Sequence, residues 1–177
     1  MCIRDSADIV FTSLTKIFSG SGDILAGSLI LNPKSRWIDQ FRNTLNEINL
    51  PKLSDSDIVS LEKVSRDVKQ RVFEQNKACL ELKKRLETHK EIKNIFHPED
   101  CPNFNSILTS DGGYGCLLSF ELKGGLEKAK NFYDYLQISK GPSLGTKFTL
   151  VCPYVLLAHY DELDCAESFL SLIHILR

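Results

Sequence analysis

The sequence predicts an α/β chain in two lobes. Three features carry that expectation: two short strands with a glycine-rich turn between them around Lys16, a long amphipathic helix, and alternating strands and helices after it. Asp8-Ile9-Val10-Phe11-Thr12 is short and β-branched, which suits a strand of a buried sheet. Lys16 follows at once, then Gly20 and Gly22 among serines signal a turn, and Gly27 to Leu31 resumes a β-like run. From Ser35 to about Asn46, Trp37, Ile38, Phe41 and Leu45 fall at helical spacing, and Pro51 ends that helix. Ser54 or Asp55 caps a second helix in which Ile58, Leu61, Val64, Val68, Val72, Leu80, Leu82 and Leu86 keep a helical period up to His89. Some 35 residues at 1.5 Å each make roughly 50 Å, a length that links two lobes or bends where they meet, so the domain boundary is placed near residue 68. Beyond it, Glu91 to Phe96 reads as a strand, His97 to Tyr114 as loop, and Cys116 to Leu122 as a strongly β-like strand. Gly125 to Leu136 reads as a helix with Leu126, Ala129, Phe132, Tyr133 and Leu136 inward; Phe148 to Cys152 reads as a strand, and Pro153 opens a helix near Leu163.

Composition narrows the function. The chain has 177 residues, 42% hydrophobic and 25% charged, the balance of a soluble globular protein rather than a fibrous or disordered one. Twenty-two Lys and Arg against 23 Asp and Glu give a net charge of -1, so no basic excess points to nucleic acid or anionic lipid. No apolar run reaches the roughly 20 residues of a membrane helix, and the expected compartment is the cytoplasm. Six scattered cysteines without a CxxC pair fit neither a disulfide framework nor a zinc site and read as free thiols.

The two ends look foreign. Met1 to Ser6 and Leu170 to Ile175 can be back-translated to complementary strands of one DNA sequence, which looks like a transposase adapter. Residues 1–6 and 170–177 are therefore excluded from fold reasoning, and the remaining stretch is expected to be a fragment of a longer protein.

The tetrapeptide Ser13-Leu14-Thr15-Lys16 carries the most chemistry. An SxxK serine nucleophile would open a helix and need SDN and KTG elements, neither of which is present. The alternative makes Lys16 an amine that condenses with a carbonyl cofactor while hydroxyls three and one residues before it bind a phosphate. Pyridoxal 5'-phosphate offers both groups. On spacing alone, a lysine at a strand end is more often a solvated charge.

The wider sequence resembles the trans-sulfuration family, the pyridoxal-phosphate enzymes of cysteine and methionine metabolism. DIVFTSLTKIFSGSGDILAGSLILNP is similar to their lysine segment, and the likeness continues through LEKVSRDVKQRVFEQN, GGYGCLLSFELKGGLEKAKNF and Ser143-Leu144-Gly145. The wording is most similar to the fungal cystathionine γ-synthase branch. The resemblance implies a fold-type I pyridoxal-phosphate-dependent transferase, with residues 7–68 the end of the large cofactor domain and residues 69–169 most of the small α+β C-terminal domain. It implies Lys16 as the lysine that condenses with the cofactor, Ser13 and Thr15 as phosphate ligands, and Ser143 as a substrate-carboxylate ligand. It implies amino-acid substrates, a homo-oligomer (a tetramer in the family), no nucleic acid, no membrane and no metal. The activity it implies is γ-replacement joining an activated homoserine ester to cysteine; a cystathionine lyase, an O-acetylhomoserine sulfhydrylase or a non-catalytic interaction protein are the alternatives. Many relatives carry a further glycine and then Glu-Ser after Ser-Leu-Gly, whereas this chain has Thr146-Lys147-Phe148-Thr149, a departure in the substrate loop. The family's phosphate turn, ring-stacking tyrosine, ring-nitrogen aspartate and carboxylate-binding arginine fall outside residues 7–169, so the fragment itself is expected to be inactive.

Other candidates have plainer readings. His97 and Cys101 lack a second pair of metal ligands, and His159-Tyr160-Asp161-Glu162 reads as the surface of an amphipathic helix. Gly20-Ser21-Gly22 is a turn rather than a phosphate loop, Lys83-Lys84-Arg85 a solvated helix face, and Trp37 a packing residue.

Overall fold

The computed structural model describes residues 7–158 and 160–162 and the backbone of residues 172–176. They form two compact units, residues 1–66 and 67–177.

In the first unit, β1 (Ile9–Ser13) pairs antiparallel with β2 (Gly27–Leu31), in the register Ile9↔Leu31 to Ser13↔Gly27. The sheet has these two strands alone among the described residues, and in this chain Phe11 is 82% exposed, with Leu29 and Ile30 exposed too. After α1 (Ile38–Glu47), α2 (Asp55–Ser65) opens on a cap in which the Ser54 hydroxyl accepts the Asp57 N–H at 3.1 Å.

The expected long helix is two helices. α2 stops at Ser65, and α3 (Val68–Glu87) begins in the second unit, with Asp67 at φ -107°, ψ 1° between them. The apolar period runs through the break. Beside it the Ser65 hydroxyl donates to the Glu62 carbonyl, a local bond that competes with a continuing helical ladder, while Asp67 supports the start of α3 by accepting the Arg71 N–H and pairing with its guanidinium.

The second unit is α+β. β3 (Ile92–Phe96) is antiparallel to β4 (Leu117–Leu122), β4 to β7 (Leu172–Leu176), and β7 to β6 (Leu150–Cys152). The two-residue β5 (Ser139–Lys140) runs parallel to β6, giving the order β3-β4-β7-β6-β5, in which β7 falls within residues 170–177 that the sequence reading sets apart as foreign. Period-two alternation puts Leu118, Phe120 and Leu122 on one face of β4, where they share a core with Cys79 of α3, Val151 of β6 and Ala129 of α5 (Gly125–Tyr135). Of the residues expected inward on α5, Ala129 lies in this core and Phe132, Tyr133 and Leu136 pack against it, while Leu126 is half-buried outside it. The loop expected from His97 to Tyr114 holds a 3₁₀ turn (Pro98–Asp100) and a short α4 (Pro102–Ile107), each with proline in its first turn, where the missing N–H costs nothing. α6 (Tyr154–Ala158) is shorter than expected, and Tyr160–Glu162 is a separate exposed 3₁₀ turn. His159 and the helix position expected near Leu163 lie outside the described residues.

Lys83 overturns the reading of a solvated basic face. It is 5% exposed, and its ammonium meets Asp100 at 2.8 Å and Glu87 and Glu99 at 2.9 Å, tying α3 to the Pro98–Asp100 turn. The Asp100 carboxylate foremost, with Glu87 and Glu99, holds the ammonium above its ordinary pKa of 10.5 against the opposing effect of burial. Lys83→Met is expected to destabilise the full-length protein by about 2 kcal/mol. That is less than the 3–5 typical of a broken buried pair, because the three carboxylates are between a third and a half exposed and water recovers part of their charge. A folded pKa raised above the unfolded one gives stability that is complete below pH 10.5 and is lost as pH rises beyond it. Melting temperatures of the two proteins from pH 8 to 11 check both points: the gap should hold to about pH 10 and shrink above.

Candidate active site

β1 ends at Ser13 in extended geometry, and the chain enters a five-residue turn, Leu14–Phe18, closed by Ser19 N–H on the Leu14 carbonyl at 3.0 Å. Lys16 interrupts that turn at φ -84°, ψ -124°. Its carbonyl accepts the Gly20 N–H at 2.9 Å, and the loop then turns through Gly20 and Gly22, whose positive φ values of 67° and 77° suit residues without a Cβ. The far side of the loop is clamped to the near side at Ala26. The Ala26 carbonyl accepts the Leu14 N–H at 2.9 Å, and the Ala26 N–H donates to the Thr15 hydroxyl oxygen at 2.9 Å.

This arrangement brings Ser13, Thr15 and Lys16 onto one turn at the end of β1. The Ser13 hydroxyl and the Lys16 amine are exposed and have no hydrogen-bond or ion-pair partner among the described residues. Thr15 is half-buried, and its hydroxyl proton makes only a long 3.3 Å bond to the Ala26 carbonyl. A hydroxyl rotor can exchange such a bond for a charge-assisted one to a phosphate oxygen while still accepting from Ala26 N–H. Pyridoxal phosphate needs donors for its acceptor-only phosphate and a primary amine for its aldehyde, and Ser13, Thr15 and Lys16 supply that set. The residues fit the group.

Ser143 belongs to the second unit, half-buried and without a hydrogen-bond partner among the described residues. Its loop contains the buried Gly145 at φ 77° and Thr146, whose hydroxyl donates to the Phe148 carbonyl at 2.7 Å. Thr146 is 2% exposed, so this departure from the family pattern shapes the turn from inside. A cleft of about 600 Å³ between α3 and Asp111–Tyr114 is lined by none of the four candidate residues.

The plainer readings fare variously. The His97 Nδ1 accepts the Glu99 N–H at 3.3 Å, burial pushes its imidazole below the usual pKa, and no metal-ligand cluster occurs among the described residues. Trp37 is partly exposed and lies under the Arg36 guanidinium at 4.8 Å. Cys79, Cys101, Cys116 and Cys152 are thiols, and Cys2 and Cys165 lie outside the described residues. Of the buried polar residues on α3, Gln75 was not singled out by sequence, and Lys83 was read as solvated, with only the i+4 position of Glu87 to hint at its ion pairs.

The profile of the Cys/Met metabolism PLP-dependent enzyme family matches residues 2–162. The chain belongs to this family. Among its relatives, a cystathionine γ-synthase of Saccharomyces cerevisiae is 43% identical over 169 residues, 89% of this chain and 26% of the relative. One of Neurospora crassa is 40% identical over 166 residues, 92% of this chain and 27% of the relative. A cystathionine γ-synthase of Xanthomonas oryzae pv. oryzae, solved with aminoacrylate and cysteine, superposes with a TM-score of 0.79 at 21% identity, over 96% of this chain and 45% of that one. At that identity the superposition establishes the fold of this PLP-dependent family. The chain spans about a quarter of the length of these two curated fungal relatives. No helix among its described residues is long and apolar enough to cross a membrane.

Proposed function

We propose that the full-length protein carrying this chain is a cytoplasmic pyridoxal-phosphate-dependent γ-replacement enzyme of the cystathionine γ-synthase type, joining an activated homoserine ester to cysteine. The observation that carries the reading is the Ser13–Lys16 turn, which sets two hydroxyls and an exposed amine on one short stretch, in a chain 43% identical to a cystathionine γ-synthase. Residues 7–68 are then the end of the cofactor domain, and residues 69–169 belong to the small C-terminal domain. Residues 1–6 and 170–177 are adapter-derived; sequencing the source transcript across both ends tests that.

When bound, pyridoxal phosphate supplies an aldehyde for the substrate amine and a sink for the electrons released at the α-carbon. Ser13 and Thr15 donate hydrogen bonds to its phosphate and fix its position against β1. Lys16 carries the proton at the substrate's α-carbon, a task that needs its amine neutral. Ser143 donates to the substrate carboxylate. Elimination of the γ-ester followed by addition of the cysteine thiolate completes the replacement.

The test is an assay of the full-length protein with O-acetylhomoserine and cysteine, then with sulfide in place of cysteine, then with cystathionine alone. Cystathionine formation at a rate well above the other two is expected. Dominant sulfide use or cystathionine cleavage would replace this reading with a sulfhydrylase or a lyase, and no turnover with no bound cofactor would leave a non-catalytic protein. The 177-residue chain alone is expected to be inactive. The full-length enzyme is expected to be a homo-oligomer, which its sedimentation checks.

A further inference from the structure

Gln75 is a glutamine in the middle of α3, 7% exposed, beside the core residue Cys79. A polar amide there costs desolvation that an apolar residue of the same size avoids. The amide nitrogen offsets this by donating to the backbone carbonyl of Thr146 at 2.8 Å, across 71 residues of sequence, while its carbonyl oxygen has no hydrogen-bond partner. The bond reaches the loop three residues after Ser143. Between the two points, Gly145 holds a left-handed conformation and Thr146 is locked by its own bond to the Phe148 carbonyl. The neighbouring Asn76 grips a second loop, accepting the Gly115 N–H at 2.6 Å, and a Cβ at Gly113 would collide with its amide. Adjacent residues of one helix thus pin two loops by their backbones.

We propose that Gln75 is a positioning residue: by holding the Thr146 carbonyl it sets where the Ser143 hydroxyl stands for the substrate carboxylate. The inference rests on the carboxylate role proposed for Ser143. Without the amide donor, the buried Thr146 carbonyl is left unpaired and the turn moves outward to find water, taking Ser143 with it. A carboxylate contact is the same before and during reaction, so its loss shows in KM rather than kcat.

The experiment uses the full-length enzyme with Gln75→Met, Ser143→Ala and the double variant. Each single change is expected to raise KM for the homoserine ester about 10-fold with kcat within about 3-fold, and the double to be no worse than Ser143→Ala alone. Amide exchange of residues 143–148, measured without cofactor or substrate, is expected to be faster in Gln75→Met. An unchanged KM in Gln75→Met, or additive effects in the double, overturns the proposal. An unchanged KM in Ser143→Ala sinks the carboxylate role and the proposal's kinetic half with it, while exchange still reports whether Gln75 holds the loop. Should Gln75→Met not fold, Thr146→Val loosens the same turn from the other side; a raised KM at constant kcat supports the proposal and an unchanged KM overturns it.

Discussion

Lys16→Ala is expected to lower kcat of the full-length enzyme by about 10³- to 10⁴-fold, because the proposed function makes one side chain both the amine that condenses with the cofactor and the proton carrier at the α-carbon. That corresponds to roughly 4–5.5 kcal/mol of barrier. Structural damage does not account for such a loss, because the Lys16 amine has no hydrogen-bond or ion-pair partner among the described residues for the substitution to remove. Lys16→Arg restores the charge but should not restore turnover, since a guanidinium stays protonated and does not take the amine's place. Steady-state rates with thermal melts of the three proteins decide the matter. Near-normal turnover in Lys16→Ala would remove Lys16 from the chemistry altogether.

Phe120→Ala should cost about 3–5 kcal/mol of stability, the range for emptying a buried aromatic site. Phe120 is fully buried on the inner face of β4, and its ring meets Phe132 of α5 edge-on at 5.7 Å between centroids. Its neighbours in the core come from α3, β6 and α5, elements that are themselves pinned by hydrogen bonds and cannot all collapse into the void. Phe120→Leu keeps most of the volume and should lose less than half as much. Denaturant midpoints of the three proteins measure this; a loss below about 1 kcal/mol for Phe120→Ala would put the residue outside the core.

What the sequence revealed divides by distance along the chain. β4 and α5 are legible because their inward residues recur with periods of 2 and 3.6, and the Ser13–Lys16 turn is legible because its chemistry is contiguous. The break between α2 and α3 falls near residue 68, where the length of the apolar pattern places a bend, but Val64 and Val68 keep the period across it and so do not mark the residue at which the helix stops. Lys83 reads as surface beside Lys84 and Arg85 because two of its carboxylates, on Glu99 and Asp100, lie 16 and 17 residues away. Gln75 is further out of reach, its partner being 71 residues on. β5, with two residues, is too short to show a period.

The contact between Asn76 and the loop at Gly113–Gly115 restricts how either position can change in evolution. A Cβ at Gly113 would collide with the Asn76 amide, and a smaller residue at position 76 would remove the acceptor of the Gly115 N–H. Neither position can drift alone: any side chain at 113 requires a compensating change 37 residues earlier, and that change leaves the loop without its anchor.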